Sequence, residues 1–449
     1  KEEVRSFVSS FFLVFFILLV ILAILGIVFA DSLVVLMAPG FDEVEGKFAL
    51  TVSLTKLMFP YMVFIGLMAI AMGVLNSLKH FTAPAISPVF FNISVILSVL
   101  ILAPLLKEPV YAIAGGVLFG GALQFAIQLP AMKRRSMMPR PIFNLRDPAI
   151  RRVFLLMGPA ILGVGVYQLN IIVAMRFASG LEEGSVSYLY YAGRLMELPL
   201  GVFAVAISTA ILPSLSEFVV KGDYKSFRSS FSFAIRVSNF LAIPATVGLI
   251  VLSLPIIDLL FVRGEFTLEA AHKTSYALFF YALGVVPIAA SRILISVFYS
   301  MKDTRTPVMI AIGVFFFHII MCMLLIGPLT HGGLALAATL SACLNLICLA
   351  VVLRRRLGAF DELTSMFISF WKSTLASIIM GLTVYGIMNY IEWAGLSGSV
   401  KLISLSLVIV GGAVLYLVIS RLLKVSEVTF LRQIIAEKVN KKSGPKMSK

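Results

Sequence analysis

Apolar runs long enough to cross a bilayer recur along almost the whole of this chain, and they leave few folds open. The first, SFVSSFFLVFFILLVILAILGIVFA (residues 6–30), contains no charged residue. About 20 such residues cross a bilayer core as a helix. Twelve spans are predicted, at 6–30, 49–77, 83–105, 111–133, 151–178, 186–213, 230–252, 270–299, 305–328, 332–354, 366–390 and 400–422. Charged residues make up 13% of the chain, about half the usual share of a soluble protein. The fold class is therefore an all-α polytopic membrane protein.

The net charge of +15 does not point to nucleic acid, because the basic residues collect in alternate loops. Lys133, Arg134, Arg135, Arg140, Arg146, Arg151 and Arg152 follow the fourth span, and Arg354, Arg355 and Arg356 close the tenth. The loops on the other side carry Asp31, Asp42, Glu43 and Glu45, then Glu182 and Glu183. Lys and Arg mark the cytoplasmic side, so both ends of the chain are expected there. In the tail 425–449, Val428, Leu431, Ile434, Ile435 and Val439 recur at helical spacing beside Arg432, Lys438, Lys441 and Lys442. That pattern predicts a basic amphipathic helix lying on the membrane surface.

The chain repeats itself. VLNSLKHFTAP (74–84) aligns with VFYSMKDTRTP (297–307) at an offset of 223, matching Ser77, Lys79 and Pro84 with Ser300, Lys302 and Pro307. Lys133-Arg134-Arg135 aligns with Arg354-Arg355-Arg356 at nearly the same shift. The first four spans thus pair, in order and orientation, with spans seven to ten, as in transporters built from parallel repeats. Spans five and six have no partner within the chain, which predicts two further hydrophobic helices before residue 1 and fourteen in all. The expected organisation is an N-lobe (1–135, four of six helices), a basic cytoplasmic linker (136–150), a C-lobe (151–356), two additional spans (357–424) and the tail (425–449).

Nothing resembles a catalytic centre. His80, His272, His318 and His331 are scattered, and neither a nucleotide-binding loop nor a hydrolytic acid pair is apparent. Cys322, Cys343 and Cys348 lie in apolar runs without metal-ligand spacing, so they read as small core residues, with no metal site and no disulfide. No cofactor is expected.

The chemistry instead concentrates in YAGRLMELPLG (191–201). Arg194 and Glu197 lie three residues apart inside the sixth span, on one helical face with Ser187 and Tyr190. Two readings stand side by side. One is an internal ion pair that lowers the cost of both charges. The other is the wall of a polar cavity in which Arg194 binds an anion, since guanidinium is always charged and matches phosphate bidentately. Lys56, Arg292 and Arg176 add further intramembrane cations, and Lys56 and Arg292 fall in repeat-paired spans that would border a central cavity. Arg236, near a span end, is expected to snorkel. The excess of cations points to an anionic substrate. Pro60, Pro199, Pro244, Pro255 and Pro287 are expected to bend helices.

SYLYYAGRLMELPLGVFAVAISTAILPSLS (187–216) closely resembles a helix of the MurJ/MviN family of lipid II flippases, within the multidrug/oligosaccharidyl-lipid/polysaccharide exporter superfamily. FPYMVFIGLMAIAMGVLNSLKHFTAPAISPVFFNIS (59–94) and FYSMKDTRTPV (298–308) resemble further blocks of that family, and the likeness runs in order over nearly the whole chain. The resemblance implies two pseudo-symmetric six-helix lobes around a cationic cavity, with two extra C-terminal helices shaping a groove for a polyprenyl tail. It carries functional importance to Ser187, Arg194 and Glu197. Gly193 stands where relatives often have Asp or Asn. His318 and Cys322 replace an Asn-rich pattern, so the sodium site of some relatives is not expected here. Asn345 and Thr339 read as residues packing between helices.

The implied function is alternating-access translocation of lipid II, an undecaprenyl-diphosphate-linked disaccharide-peptide, across a bacterial inner membrane. The expected driving force is membrane potential or an ion gradient. Membrane lipids, and cell-wall synthesis proteins, are the other expected partners. The competing readings are a flippase for another polyprenyl-linked glycan, a multidrug exporter, and a non-transporting scaffold for cell-wall enzymes.

Overall fold

The computed structural model describes residues 2–142, 148–358 and 362–428, and these are helical throughout apart from one isolated β-bridge and the connecting turns. The chain forms two compact units, Lys1–Val164 and Gly165–Lys449. Part of the basic linker, including Arg146, and the tail beyond Val428 lie outside the described residues.

The first unit contains α1 (Glu2–Val28), α2 (Ala30–Met37), α3 (Lys47–Met58), α4 (Tyr61–Ser77), α5 (Thr82–Leu102), α6 (Val110–Ala126) and α7 (Gln128–Arg134), and it ends within α8 (Pro148–Ser179). Its core is Val8, Phe12, Leu67, Ala71, Leu75, Met132 and Met137. α5 and α6 approach closely because α6 presents glycine. A Cβ on Gly116 would stand 2.9 Å from the Val95 Cα. That proximity lets the Ser94 hydroxyl donate to the Gly116 carbonyl (3.0 Å) and Ser98 to Ala112 (2.6 Å). Small residues and interhelical hydrogen bonds are what hold helices together where the solvent is itself apolar.

The second unit holds the rest of α8, then α9 (Ser185–Pro199), α10 (Val205–Lys221), α11 (Tyr224–Val251), α12 (Ser253–Phe261), α13 (Leu268–Leu283), α14 (Val285–Ser300), α15 (Arg305–Leu357), α16 (Leu363–Tyr390) and α17 (Gly398–Leu422). One apolar core gathers Phe227, Phe231, Ile293, Val297, Phe298 and Leu349, and another Ala192, Leu195, Leu278, Cys322 and Leu334. The α16–α17 pair packs on α11 through Phe240, Ala376, Met380 and Tyr416, whose hydroxyl donates to the Phe240 carbonyl (2.7 Å).

Nine described helical segments are long and apolar enough to cross a membrane, or ten when the bent α13–α14 pair counts as one span. The sequence predicts twelve. The difference lies at two places. α15 runs for 53 residues, about 80 Å at 1.5 Å per residue, more than twice a bilayer core. It is broken at Thr330 (φ 48°, ψ −131°), between the stretches read as spans nine and ten. α8 occupies the fifth predicted span.

The internal repeat is visible in the breaks. The second predicted span divides into α3 and α4 around Pro60, and the eighth into α13 and α14 at Gly284, three residues before Pro287. The second break is closed from outside: Gly284 bonds to Tyr281 (2.9 Å), and Thr339 of α15 donates to the freed Phe280 carbonyl (2.7 Å). Thr339 thus packs between helices with a definite task, satisfying a backbone group that lipid cannot.

Candidate functional site

α9 starts where Gly184, in the left-handed region (φ 92°), turns the chain after the acidic Glu182–Glu183 loop. Its inward face is apolar, with Leu189, Ala192 and Leu195 buried against the second unit's core. Its other face carries Ser187, Tyr190, Arg194 and Glu197, all exposed. Among the described residues nothing lies within 4 Å of where a Cβ on Gly193 or Gly201 would sit, so they leave open space there.

The Arg194 Nη1 donates to the Glu197 Oε2 at 3.0 Å, and the guanidinium carbon lies 5.1 Å from the centre of the Tyr190 ring. The two charged side chains keep 60% and 45% of their surface accessible. Arg194 stands nine residues into α9, about 14 Å along it at 1.5 Å per residue. Exposed charges at that depth are too costly against hydrocarbon chains, so this face requires water or a polar ligand beside it.

The backbone changes character immediately after the pair. Pro199 has no amide to give to the helical ladder, the Leu200 amide bonds to the Glu197 carbonyl, and residues Leu200–Ala204 form a π-helical turn before α10 resumes. π turns of this kind recur at functional sites and bend the helix that carries them. The bend anticipated at Pro199 is therefore a π turn, and it sits directly beneath Glu197.

The other intramembrane cations are differently placed. Lys56 on α3 pairs with Asp31 of α2 at 2.8 Å. That Lys56 ammonium, by its hydrogen bond, also holds the Asp31 carboxyl below its ordinary value. Arg176 is exposed near the end of α8, where its carbonyl accepts from Ser179 (2.8 Å). Arg292 is half-buried on α14, and its guanidinium has no ion pair among the described residues. Ser187, Tyr190, Arg194 and Glu197 share one exposed face of α9. In the first unit, the cavity of about 610 Å³ between α1, α4 and α8 is lined by Phe7, Phe11, Phe15, Leu19 and other mostly apolar groups, with Ser77 spent on the Val74 carbonyl and no charged residue to attract an anion.

Two polar clusters escape a reading of the sequence. At the acidic end of the second unit, Lys273 bridges Glu182 and Glu269 (3.0 Å each), and its carbonyl faces the buried His331 Nε2 at 2.9 Å. Nearby, the buried Asp258 of α12 accepts from the Trp393 Nε1 (2.6 Å) and the Lys401 Nζ (2.7 Å), tying α12 to the start of α17. Trp393 and Lys401 flank the last span, and their interfacial residue types were the available signal. His318 is buried in the second unit, with Nδ1 3.3 Å from the Ser341 hydroxyl and Nε2 3.5 Å from the Cys322 sulfur.

The family model described as "Lipid II flippase MurJ" matches residues 1–406. The lipid II flippase MurJ of Burkholderia cenocepacia is 37% identical over 383 residues, which cover 84% of this chain and 74% of that protein. The probable lipid II flippase MurJ of Haemophilus influenzae is 36% identical over 382 residues, 82% of this chain and 74% of the relative. A solved structure described as "Lipid II flippase MurJ, inward closed conformation" superposes with a TM-score of 0.78 at 27% identity, over 97% of this chain and 86% of that one. A multidrug resistance transporter of the MATE family, within the MOP superfamily, shares the fold at a TM-score of 0.68 and 16% identity, over 80% of this chain and 83% of that one. The chain belongs to the MurJ family of lipid II flippases.

Proposed function

We propose that this protein translocates lipid II across the bacterial inner membrane, with the Arg194 face of α9 receiving the diphosphate. It is a transporter and not an enzyme. The observation that carries this reading is the exposed Arg194–Glu197 pair, held deep in a span beside open space. A diphosphate offers oxygens that a guanidinium fork can bind bidentately, and Glu197 holds the fork in place until the anion arrives. Ser187 and Tyr190 extend the polar face toward the acidic end of the helix. Arg292 adds a guanidinium with no ion pair among the described residues, and Arg176 a further cation. Lys56 is held by Asp31 within the first unit.

The lysine- and arginine-rich side is the cytoplasmic one, so both chain ends lie there, and the headgroup enters from that side while the prenyl chain stays in lipid. Alternating access then exposes the Arg194 face on the opposite side. Carrying two negative phosphates outward through an inside-negative potential gains about 2.3 kcal/mol per charge per 100 mV, so the potential drives the loaded step without a nucleotide.

The test is a flipping assay with purified protein in proteoliposomes. Arg194→Ala is expected to abolish translocation while the protein still inserts and stays monodisperse, and Arg194→Lys to restore little, because a lysine cannot reproduce the bidentate fork. Wild-type flipping by Arg194→Ala would overturn the assignment.

A further inference from the structure

Where Lys and Arg collect, α11, α16 and the turn after α17 enclose a cavity of about 160 Å³. Its walls carry Arg236, Ser369, Lys372, Lys424 and Glu427. The two ion-paired members neutralise each other: the Arg236 Nη1 meets the Glu427 Oε1 at 3.2 Å and also donates to the Ser426 hydroxyl at 3.1 Å. Glu427 is 2% exposed; its Oε1 is held by Arg236, while Oε2 is buried and has no hydrogen-bond partner among the described residues. Arg236 therefore does more than snorkel, because it anchors the segment that follows α17.

That pairing leaves two cavity cations, Lys372 and Lys424, without an ion pair among the described residues. The Lys372 Nζ makes one long bond, to the Lys424 carbonyl at 3.4 Å, and keeps its remaining N–H donors. The Lys424 ammonium has no ion pair among the described residues. Lys424 also adopts a left-handed backbone conformation (φ 53°), which carries the chain back over the cavity. A third donor points to a ligand independently: Ser369 is 5% exposed, lines the cavity, and its hydroxyl has no partner among the described residues. A buried hydroxyl without a partner costs on the order of 1–3 kcal/mol, so such groups normally mark a missing acceptor.

One edge of the cavity is apolar and leads into the membrane. Ile368 lines it, and Phe367, Trp371 and Leu375 continue outward along α16, each about half-exposed or more. Tryptophan and lysine side by side at a span end are the usual furniture of the headgroup level. An anionic centre with acyl chains fits both halves of this surface, whereas a soluble anion fits only the first. Basic pockets between spans on the positive side are known to take lipid phosphates.

We propose that this cavity binds the phosphate of an anionic glycerophospholipid, with Lys372, Lys424 and Ser369 as the donors and the Ile368–Trp371–Leu375 stripe against the acyl chains. The ligand stabilises the packing of α16 and the post-α17 turn against α11. The site is separate from the Arg194 face, and its occupancy does not depend on what that face transports.

The full chain, purified in a mild non-ionic detergent, is exposed to phosphatidylglycerol or phosphatidylcholine, and bound lipid is counted by native mass spectrometry. The wild type is expected to retain phosphatidylglycerol at least tenfold better than phosphatidylcholine. Lys372→Gln with Lys424→Gln should remove that preference, and Lys424→Gln alone, on an exposed turn that tolerates change, should weaken it several-fold. Lys225→Gln, an exposed cation at the same end but outside the cavity, should leave it intact. Equal retention of the two lipids by the wild type, or an unchanged preference in the single and double variants, overturns the proposal. Displacement of phosphatidylglycerol by millimolar inorganic phosphate would reassign the cavity to a free anion.

Discussion

Lys79 and Lys302, equivalent lysines of the internal repeat, hold the same left-handed backbone conformation, φ 58° in each. Around both, the chain closes the same pair of bonds. The His80 amide reaches back to Leu75 and the Asp303 amide to Phe298, each at 2.9 Å, while Lys79 bonds to Asn76 and Lys302 to Tyr299. The preceding Ser77 and Ser300 donate to carbonyls three residues back, both at 2.7 Å. These are Schellman caps, the device by which a helix disposes of its last free carbonyls. The repeat is thus a repeat of helix-stopping chemistry as well as of hydropathy.

A lysine in that conformation pays roughly 1–2 kcal/mol that glycine does not. Lys79→Gly and Lys302→Gly are each expected to hold or raise the thermal midpoint of the detergent-solubilised protein. Lys302→Val should lower it, because a β-branched residue resists positive φ most strongly. A glycine variant that falls as far as the valine one would show that the lysine side chain, not the cap, matters there.

The residue after the second cap supplies a pH dependence. Asp303 accepts from the amides of Arg305 (3.1 Å) and Thr306 (3.0 Å) and from the Thr306 hydroxyl (2.6 Å), and it pairs with Arg356. Burial pushes its carboxyl upward, but the Thr306 bonds and the Arg356 charge outweigh that, and the net shift is downward. A depressed folded value means the stabilisation is complete above the ordinary carboxylate range, near pH 4, and is lost as pH falls through the lower folded value. Unfolding midpoints measured from pH 7 downward should drop more steeply in the wild type than in Asp303→Asn. At neutral pH the variant should be less stable by about 1–3 kcal/mol. Parallel curves would rule this carboxylate out as the source.

How much of this was legible in the sequence depends on direction. Helix limits along the chain were readable: most helix ends lie close to the expected span limits, and the breaks fall by Pro60, Pro199 and Pro287. Facing was harder. A span packs apolar residues toward both lipid and core, so the one-sided pattern that orients a soluble helix is absent. Arg194 and Glu197 could be placed together because they share one helix and three residues separate them. Lys56 could be placed in a repeat-paired span, but its partner Asp31, which the hydropathy assigns to a loop, was not readable from spacing. Asp258, Trp393 and Lys401 were invisible as a unit, because their proximity depends on how α12 and α17 pack.

That last cluster should be costly to break. Asp258 is buried, and Lys401 is only 18% exposed in its side chain. Asp258→Ala leaves an ammonium with no counter-charge, which typically costs about 3–5 kcal/mol for a buried pair. Trp393 would also lose its hydrogen bond, so the tryptophan emission should shift with the loss of stability. Asp258→Asn should lose less, since it still accepts from the indole. Unchanged emission and stability in Asp258→Ala would mean the pair is fully solvated.

Glu197 offers the sharpest test of how the site works. In the resting arrangement the Arg194 guanidinium is shared between the Glu197 carboxylate and the Tyr190 ring. An incoming phosphate must compete with the carboxylate, whereas the ring remains available as a platform. Removing the competing charge should strengthen the hold on the ligand and slow its release. Glu197→Gln is therefore expected to lower KM for the lipid-linked diphosphate and lower kcat with it, in the same flipping assay. Tyr190→Phe should keep both constants near wild type, because the ring face survives, and Tyr190→Ala should raise KM several-fold, in line with the roughly 0.5–1 kcal/mol of an exposed cation–π contact. If Glu197→Gln instead raises KM and leaves kcat alone, the carboxylate only orients the arginine and takes no part in release.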